Sequence, residues 1–132
     1  MCETLETATS WSNLSVLKAA VTEALTKALT ESGTAALVMC HISHVYPTGA
    51  SLYFTVVAGQ RGDVAEQWLT AKAAAAHAIV EHGGTITHHH AVGADHRPWM
   101  TDEIGDLGVR VLRAVKQTLD PAGILNPGKL IP

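Results

Sequence analysis

The order of segments along this chain predicts an α+β fold, an antiparallel β-sheet with helices packed on one face. Three observations predict it. Three stretches carry apolar residues at helical spacing, and the first two are stopped by glycine. One stretch, "AALVMCHISHVYPTGASLYFTVVA" from Ala35 to Ala58, breaks at Pro47, Thr48 and Gly49 into two β-type runs. The join between those runs is too short for the crossover that parallel strands require.

Taken in order, Met1 to Ser10 is threonine-rich with neither helical nor alternating pattern, and reads as an extended lead-in without its partner. A helix follows Ser12, with Leu14, Leu17, Val21, Leu25, Ala28 and Leu29 on one stripe and Gly33 at its end. In the hairpin, a three-residue turn sets Tyr46 opposite Ala50, Ser43 opposite Tyr53 and His41 opposite Thr55. Alternation then gives two unlike faces. Cys40, Ile42, Leu52, Phe54 and Val56 form the face expected against helices, while His41, Ser43, Ser51, Tyr53 and Thr55 form a polar one. His44 falls on the apolar side, so it is either a satisfied core histidine or a sign that the register is shifted.

Asp63 with Glu66 three residues on is a capping box, and Val64, Trp68, Ala71, Ala75 and Ile79 mark a helix running to His82. Gly83 and Gly84 stop it, and "TITHHHAV" is expected as a third strand. A last helix starts near Trp99, after Pro98, with Met100, Ile104, Leu107, Val111, Val115 and Leu119 on its stripe. Asp120 and Pro121 end it, and the tail "DPAGILNPGKLIP" has the turn residues and apolar anchors of an ordered wrap-around segment. Three strands make a thin sheet, which a further upstream segment is expected to complete.

With 132 residues the chain is the size of one domain, residues 1–132, and can bury a core without metal or disulfides. Nine Lys and Arg against twelve Asp and Glu leave a net charge of -3 with no basic stripe, which argues against nucleic acid as a partner. No apolar run reaches membrane-spanning length and no signal peptide opens the chain, so a cytoplasmic protein is expected. Cys2 and Cys40 form no disulfide framework. The eight histidines are the unusual count, since imidazole is the side chain that titrates nearest neutrality.

Three of them are consecutive. In a strand His88 and His90 project to one side and His89 to the other, so one metal could not take all three without a bend; His41, His44 and Asp95 are further ligands on paper. The tract reads as a metal cluster, as neutral acid/base groups, or as a solvated edge. Tyr53, on the polar hairpin face, is a proton-transfer candidate or an interface tyrosine. Arg61 in "GQRGD" could hold a phosphate or carboxylate or be a solvated loop arginine, and Arg97 has the same two readings. No glycine-rich phosphate loop, nucleophile elbow or dinucleotide fingerprint is present.

Two segments, "GGTITHHHAVG" from Gly83 to Gly93 and "LDPAGILNPGKL" from Leu119 to Leu130, resemble the C-terminal part of FAD-linked oxidases of the vanillyl-alcohol-oxidase type. With "ASLYFTVVAGQRGD" and the three histidines, the chain is most similar to the alkylglycerone-phosphate synthase branch, which exchanges an acyl for an alkyl chain in ether-lipid synthesis. The 2-hydroxy-acid (D-lactate and glycolate) dehydrogenases of the family show HxGDGNLH on the hairpin and GEHG later, groups that suit a divalent metal. Here Tyr53 stands in place of a ligand histidine and His89 in place of the glutamate, with only His90 kept, so no metal is expected.

The resemblance implies the distal part of a ferredoxin-like cap domain whose sheet covers an FAD bound mainly by a separate domain absent from this chain. It implies that Tyr53, His88, His89 and His90 move protons at the substrate's C1 and at an incoming alcohol, with Arg61 and His41 binding substrate and Asn126 in the tail motif touching cofactor. The loop "GADHRPWM" departs from the more basic version of that branch, so the resemblance does not fix recognition of the phosphate of an acyl-glycerone-phosphate substrate, or the exact substrate. The alternatives are an FAD-dependent 2-hydroxy-acid oxidoreductase and a non-catalytic histidine-rich metal-binding or assembly module. Self-association into a homo-oligomer through the bare polar face is a further expectation.

Overall fold

The computed structural model describes residues 1–132. They form two compact units, Met1–His90 and Ala91–Pro132. In the first, the elements run β1 (Cys2–Ser10), α1 (Leu14–Glu31), β2 (Ala36–Val45), β3 (Gly49–Ala58) and α2 (Val64–Glu81). The sheet order is β1-β3-β2, antiparallel throughout. This is the expected α+β architecture, with α1 and α2 on one face.

The helices form where local signals and burial agree. Leu17, Val21, Leu25 and Leu29 recur every fourth residue and are all fully buried, so α1 lays one stripe on the sheet. Trp68, Ala71, Ala75 and Ile79 do the same for α2, whose first turn is capped by the Asp63 carboxylate accepting from the Ala65 and Glu66 amides. Leu5, Leu52, Phe54 and Val56 meet both stripes from the sheet. Of the two glycines that end α2, Gly83 takes a left-handed φ of 66° so that its amide and that of Gly84 can turn back to Val80 and Ile79. Gly84 serves close packing: a Cβ there would lie 2.8 Å from both Leu17 Cδ2 and Thr7 Oγ1.

Three expectations change. The lead-in is a strand, pairing with β3 from Cys2 opposite Val57 to Ser10 opposite Gly49. Its threonines hid it, because a polar β-branched residue such as the fully buried Thr7 does not announce a core position. The hairpin register is His41 opposite Tyr53, two residues from the expected pairing, which preserves the faces. Between Ile42 and Val45 the ladder is interrupted by a bulge, so Ser43 and His44 together oppose Ser51, and the His44 amide donates to Ser51 Oγ at 2.9 Å.

The third change concerns the histidines. "TITHHHAV" is not a strand. It runs beside the outer edge of β1, with the Thr85 amide donating to Ala8 O and the His88 amide to Glu6 O, and Thr7 Oγ1 donating to Thr85 O. His89 then enters the left-handed region at φ 41°, which breaks the alternation that would have sent its ring away from its neighbours.

In the second unit, α3 (Met100–Leu119) follows a one-turn 3-10 segment containing Pro98, and Gly105 interrupts it at φ 73°. Its stripe is mostly bare: Ile104, Leu107, Val111, Val115 and Leu119 are exposed, while Met100 and Val109 are buried. The tail is ordered by Asp120, whose carboxylate accepts from the Ile124 and Leu125 amides and from Lys116 Nζ. The Lys116 hydrogen bond and the Leu125 amide, aided by that of Ile124, hold the Asp120 carboxyl below its ordinary value despite its burial.

Two outcomes follow from these contacts. Gly84→Ala should destabilise the first unit by about 1–3 kcal/mol, because the added methyl meets packed atoms on both sides; chemical denaturation followed by circular dichroism measures it. A depressed folded-state pKa contributes stability that is present above the unfolded value of about 3.9 and lost as pH falls through the folded one. The protection factors of the Ile124 and Leu125 amides, exchange rates taken relative to the unstructured chain at the same pH, should therefore fall on acidification below pH ~4, and Asp120→Asn should show the low protection already at neutral pH.

Candidate active site

The sheet face opposite the helices is set by register. Glu6 on β1, Tyr53 on β3 and His41 on β2 are laterally paired and share that face. His41 stacks on Tyr53 with ring centroids 5.2 Å apart, and the edge of His90 meets Tyr53 at 5.5 Å. Tyr53 thus lies half-buried between two imidazoles, while His41 and His90 remain exposed.

Beside Tyr53, the side chain of Glu6 is wholly shielded from solvent and surrounded by histidines. His44 Nδ1 and His88 Nδ1 lie 3.6 and 3.4 Å from Glu6 Oε1, and His89 Nδ1 and His90 Nε2 lie 3.2 and 3.5 Å from Oε2. Each arrives by a different device. The bulge swings His44 off the apolar side, the two amide bonds to β1 place His88, and the left-handed turn at His89 brings the remaining rings inward. Ser43 Oγ donates to Glu6 Oε1 and lies 2.6 Å from Ser51 Oγ, while Tyr46 OH is 2.9 Å from His88 Nε2.

A carboxylate taken out of water needs compensation. Burial by itself raises the Glu6 carboxyl, but hydrogen bonds from Ser43 and Ser51 and the positive potential of His89 and His88 outweigh it and hold the group below its ordinary value. Oε2 is buried and accepts no hydrogen bond. Glu6, His44, His88 and His89 each offer one donor atom, all within 4.8 Å of one another, a set that could hold a cation.

Of the residues singled out from sequence, the fold brings Tyr53, His41, His88, His89 and His90 together. Arg61 is not among them: its Nε donates to Gly33 O at the end of α1 and its amide to Gln67 Oε1. Asn126 belongs to the second unit, where it takes φ 44° in the tail and its carbonyl accepts from Lys129. Glu6 and Tyr46 were not foreseen. The one signal for Glu6 was an acid placed between Leu5 and Thr7, which reads equally as a solvated strand face.

No helix is long and apolar enough to cross a membrane. Residues 1–130 match the family described as FAD linked oxidases, C-terminal domain. The alkyldihydroxyacetonephosphate synthase of Dictyostelium discoideum is 39% identical over 96% of this chain and 21% of its own length. That of Trypanosoma brucei brucei is 38% identical over 86% of this chain and 19% of its own. A solved alkyldihydroxyacetonephosphate synthase structure superposes with a TM-score of 0.61 at 30% identity, covering 96% of this chain and 20% of that one. The chain therefore spans about a fifth of the length of the curated relatives it matches. It belongs to the FAD-linked oxidase family, as the C-terminal domain of that family.

Proposed function

We propose that this chain is the substrate-side part of a synthase-like FAD enzyme, in which Tyr53 and the His88 to His90 tract move protons while an acyl chain is exchanged for an alkyl chain. The observation that carries the reading is Tyr53 held between His41 and His90, beside three imidazoles gathered at one buried carboxylate. A phenol flanked by imidazoles has a proton acceptor and donor within ring contact, which is what an incoming alcohol and a departing acyl group require. The similarity to two synthases over most of the chain supports the substrate class, an acyl-glycerone phosphate with a fatty alcohol.

The residues present suit covering a flavin and not holding its nucleotide. The sheet presents a polar, ring-bearing face, and the sequence has no glycine-rich phosphate cradle. FAD held by a separate FAD-binding domain would supply the reactive ring against which substrate is turned over. Within this chain, the Tyr53 hydroxyl gives or takes the proton and His90 exchanges it, while the exposed His41 ring bounds the substrate side. Arg61 and Asn126 keep their proposed substrate and cofactor contacts as part of this reading, to be exercised with the rest of the enzyme in place. Self-association through the polar face is the expected behaviour of the isolated chain.

The purified chain should be colourless, and stoichiometric yellow flavin retained through gel filtration would contradict the separate-domain reading. In the FAD-loaded protein that carries this domain, acyl-glycerone phosphate and a long-chain alcohol should give the ether product, with Tyr53→Phe lowering kcat about 10²–10⁴-fold. Flavin bleaching by a 2-hydroxy acid, with no ether product, would replace the transferase reading by an oxidoreductase one.

A further inference from the structure

The sequence-based expectation of no metal rested on a missing carboxylate and a missing ligand histidine, the positions where His89 and Tyr53 stand. The fold supplies one from another strand. We propose that Glu6, His44, His88 and His89 form a closed four-ligand site for a zinc-like divalent cation. Neither Glu6 nor the substituted positions Tyr53 and His89 reproduce the hairpin-and-glutamate set of the 2-hydroxy-acid dehydrogenases; the carboxylate comes from β1, and a bulge delivers His44.

Three independent features carry this. Donor number and kind come first: three imidazole nitrogens and one carboxylate oxygen are a borderline-soft set that zinc takes in tetrahedral geometry. Metal–ligand bonds of about 2.0–2.2 Å put the donors of a tetrahedron roughly 3.3–3.6 Å apart. Here Glu6 Oε1 lies 3.6 and 3.4 Å from His44 Nδ1 and His88 Nδ1, Oε2 lies 3.2 Å from His89 Nδ1, and His88 Nδ1 lies 3.0 Å from His89 Nδ1; the four donors all fall within 4.8 Å of one another, so a cation would draw the widest of them inward. The second feature is the buried Oε2 of Glu6, which accepts no hydrogen bond and faces the His89 and His90 rings.

The third is support around the donors. Metal-bound histidine engages its second nitrogen with a hydrogen-bonding group, and ligating carboxylates are themselves hydrogen-bonded. His88 meets Tyr46 OH at 2.9 Å through Nε2, leaving Nδ1 for the cation, and Ser43 donates to Glu6. The left-handed φ of 41° at His89 is costly for a residue with a Cβ and persists only where the surroundings enforce it; a shared ligand would do so.

All four protein positions are filled, so the cation would be structural: it would clamp the histidine loop onto β1 and offer no open position to substrate. It would withdraw His88 and His89 from proton exchange and leave His90, outside the four, as the partner of Tyr53. The inference rests on the proposed acid/base function and narrows it to Tyr53 and His90; it is read without turnover, so its failure leaves the whole histidine tract to that reading.

The test uses the chain without an affinity tag, saturated with Zn²⁺, dialysed against metal-free buffer and analysed for bound metal. About one zinc per chain is expected. Glu6→Gln and His44→Ala should each weaken binding by at least tenfold, and His82→Gln, a histidine bonded within α2's last turn, should not. X-ray absorption on the wild-type chain should show a four-coordinate nitrogen and oxygen shell with imidazole scattering, which decides the matter even if a variant does not fold. Zinc lost on dialysis would overturn the site. So would zinc retained undiminished by Glu6→Gln but lost on replacing His88, His89 and His90 together, which marks adventitious uptake by a histidine tract.

Discussion

A single buried carboxylate organises the polar side of this domain. Glu6 sits under no solvent, on the face of a sheet whose other side is packed by two helices, and four imidazoles surround it. An isolated anion in that position would be expensive, and protein interiors tolerate such groups only when they are paired and hydrogen-bonded. Ser43 and Ser51 meet part of that demand, and the rings meet the rest. The loop from Gly83 to His90 has its irregular path because it is fastened to β1 by backbone bonds and then turned toward this charge.

The same arrangement explains why the two faces of one hairpin can have separate duties. Leu52, Phe54 and Val56 are fixed by the helical stripes, so alternation leaves Ser51, Tyr53 and Thr55 no freedom to turn inward. The scaffold is then rigid where Tyr53 is mounted, and a ring on a packed strand keeps its direction better than a ring on a loop. The bulge adds the one local exception, moving His44 to the polar side without disturbing the apolar residues before it. A bare apolar stripe on α3 is a different matter: Leu107, Val111, Val115 and Leu119 are exposed in a chain covering about a fifth of its relatives' length.

Much of the fold was legible because it rests on short-range signals. Asp63 as a cap, the leucines of α1 and the glycines after α1 and α2 act within a few residues of themselves, and they occur where expected. What was illegible depended on distant partners. β1 has no recognisable pattern until its ladder with β3 is known, and the histidine tract looked like a strand because its residues favour one when nothing else acts on them.

The sequence by itself determined the helices, the hairpin and its two faces, and the residue types of the site, since period, caps and turn chemistry are local properties. It also carried family membership, through the tail and histidine motifs. Tertiary structure alone decided which residues meet. Strand alternation would have divided His88 and His90 from His89, but a left-handed residue, an edge-bound loop and a buried acid 82 positions upstream of His88 turned them to one point. Convergence of that kind is set by chain crossings and by the electrostatic demand of a desolvated charge, neither of which has a period to read.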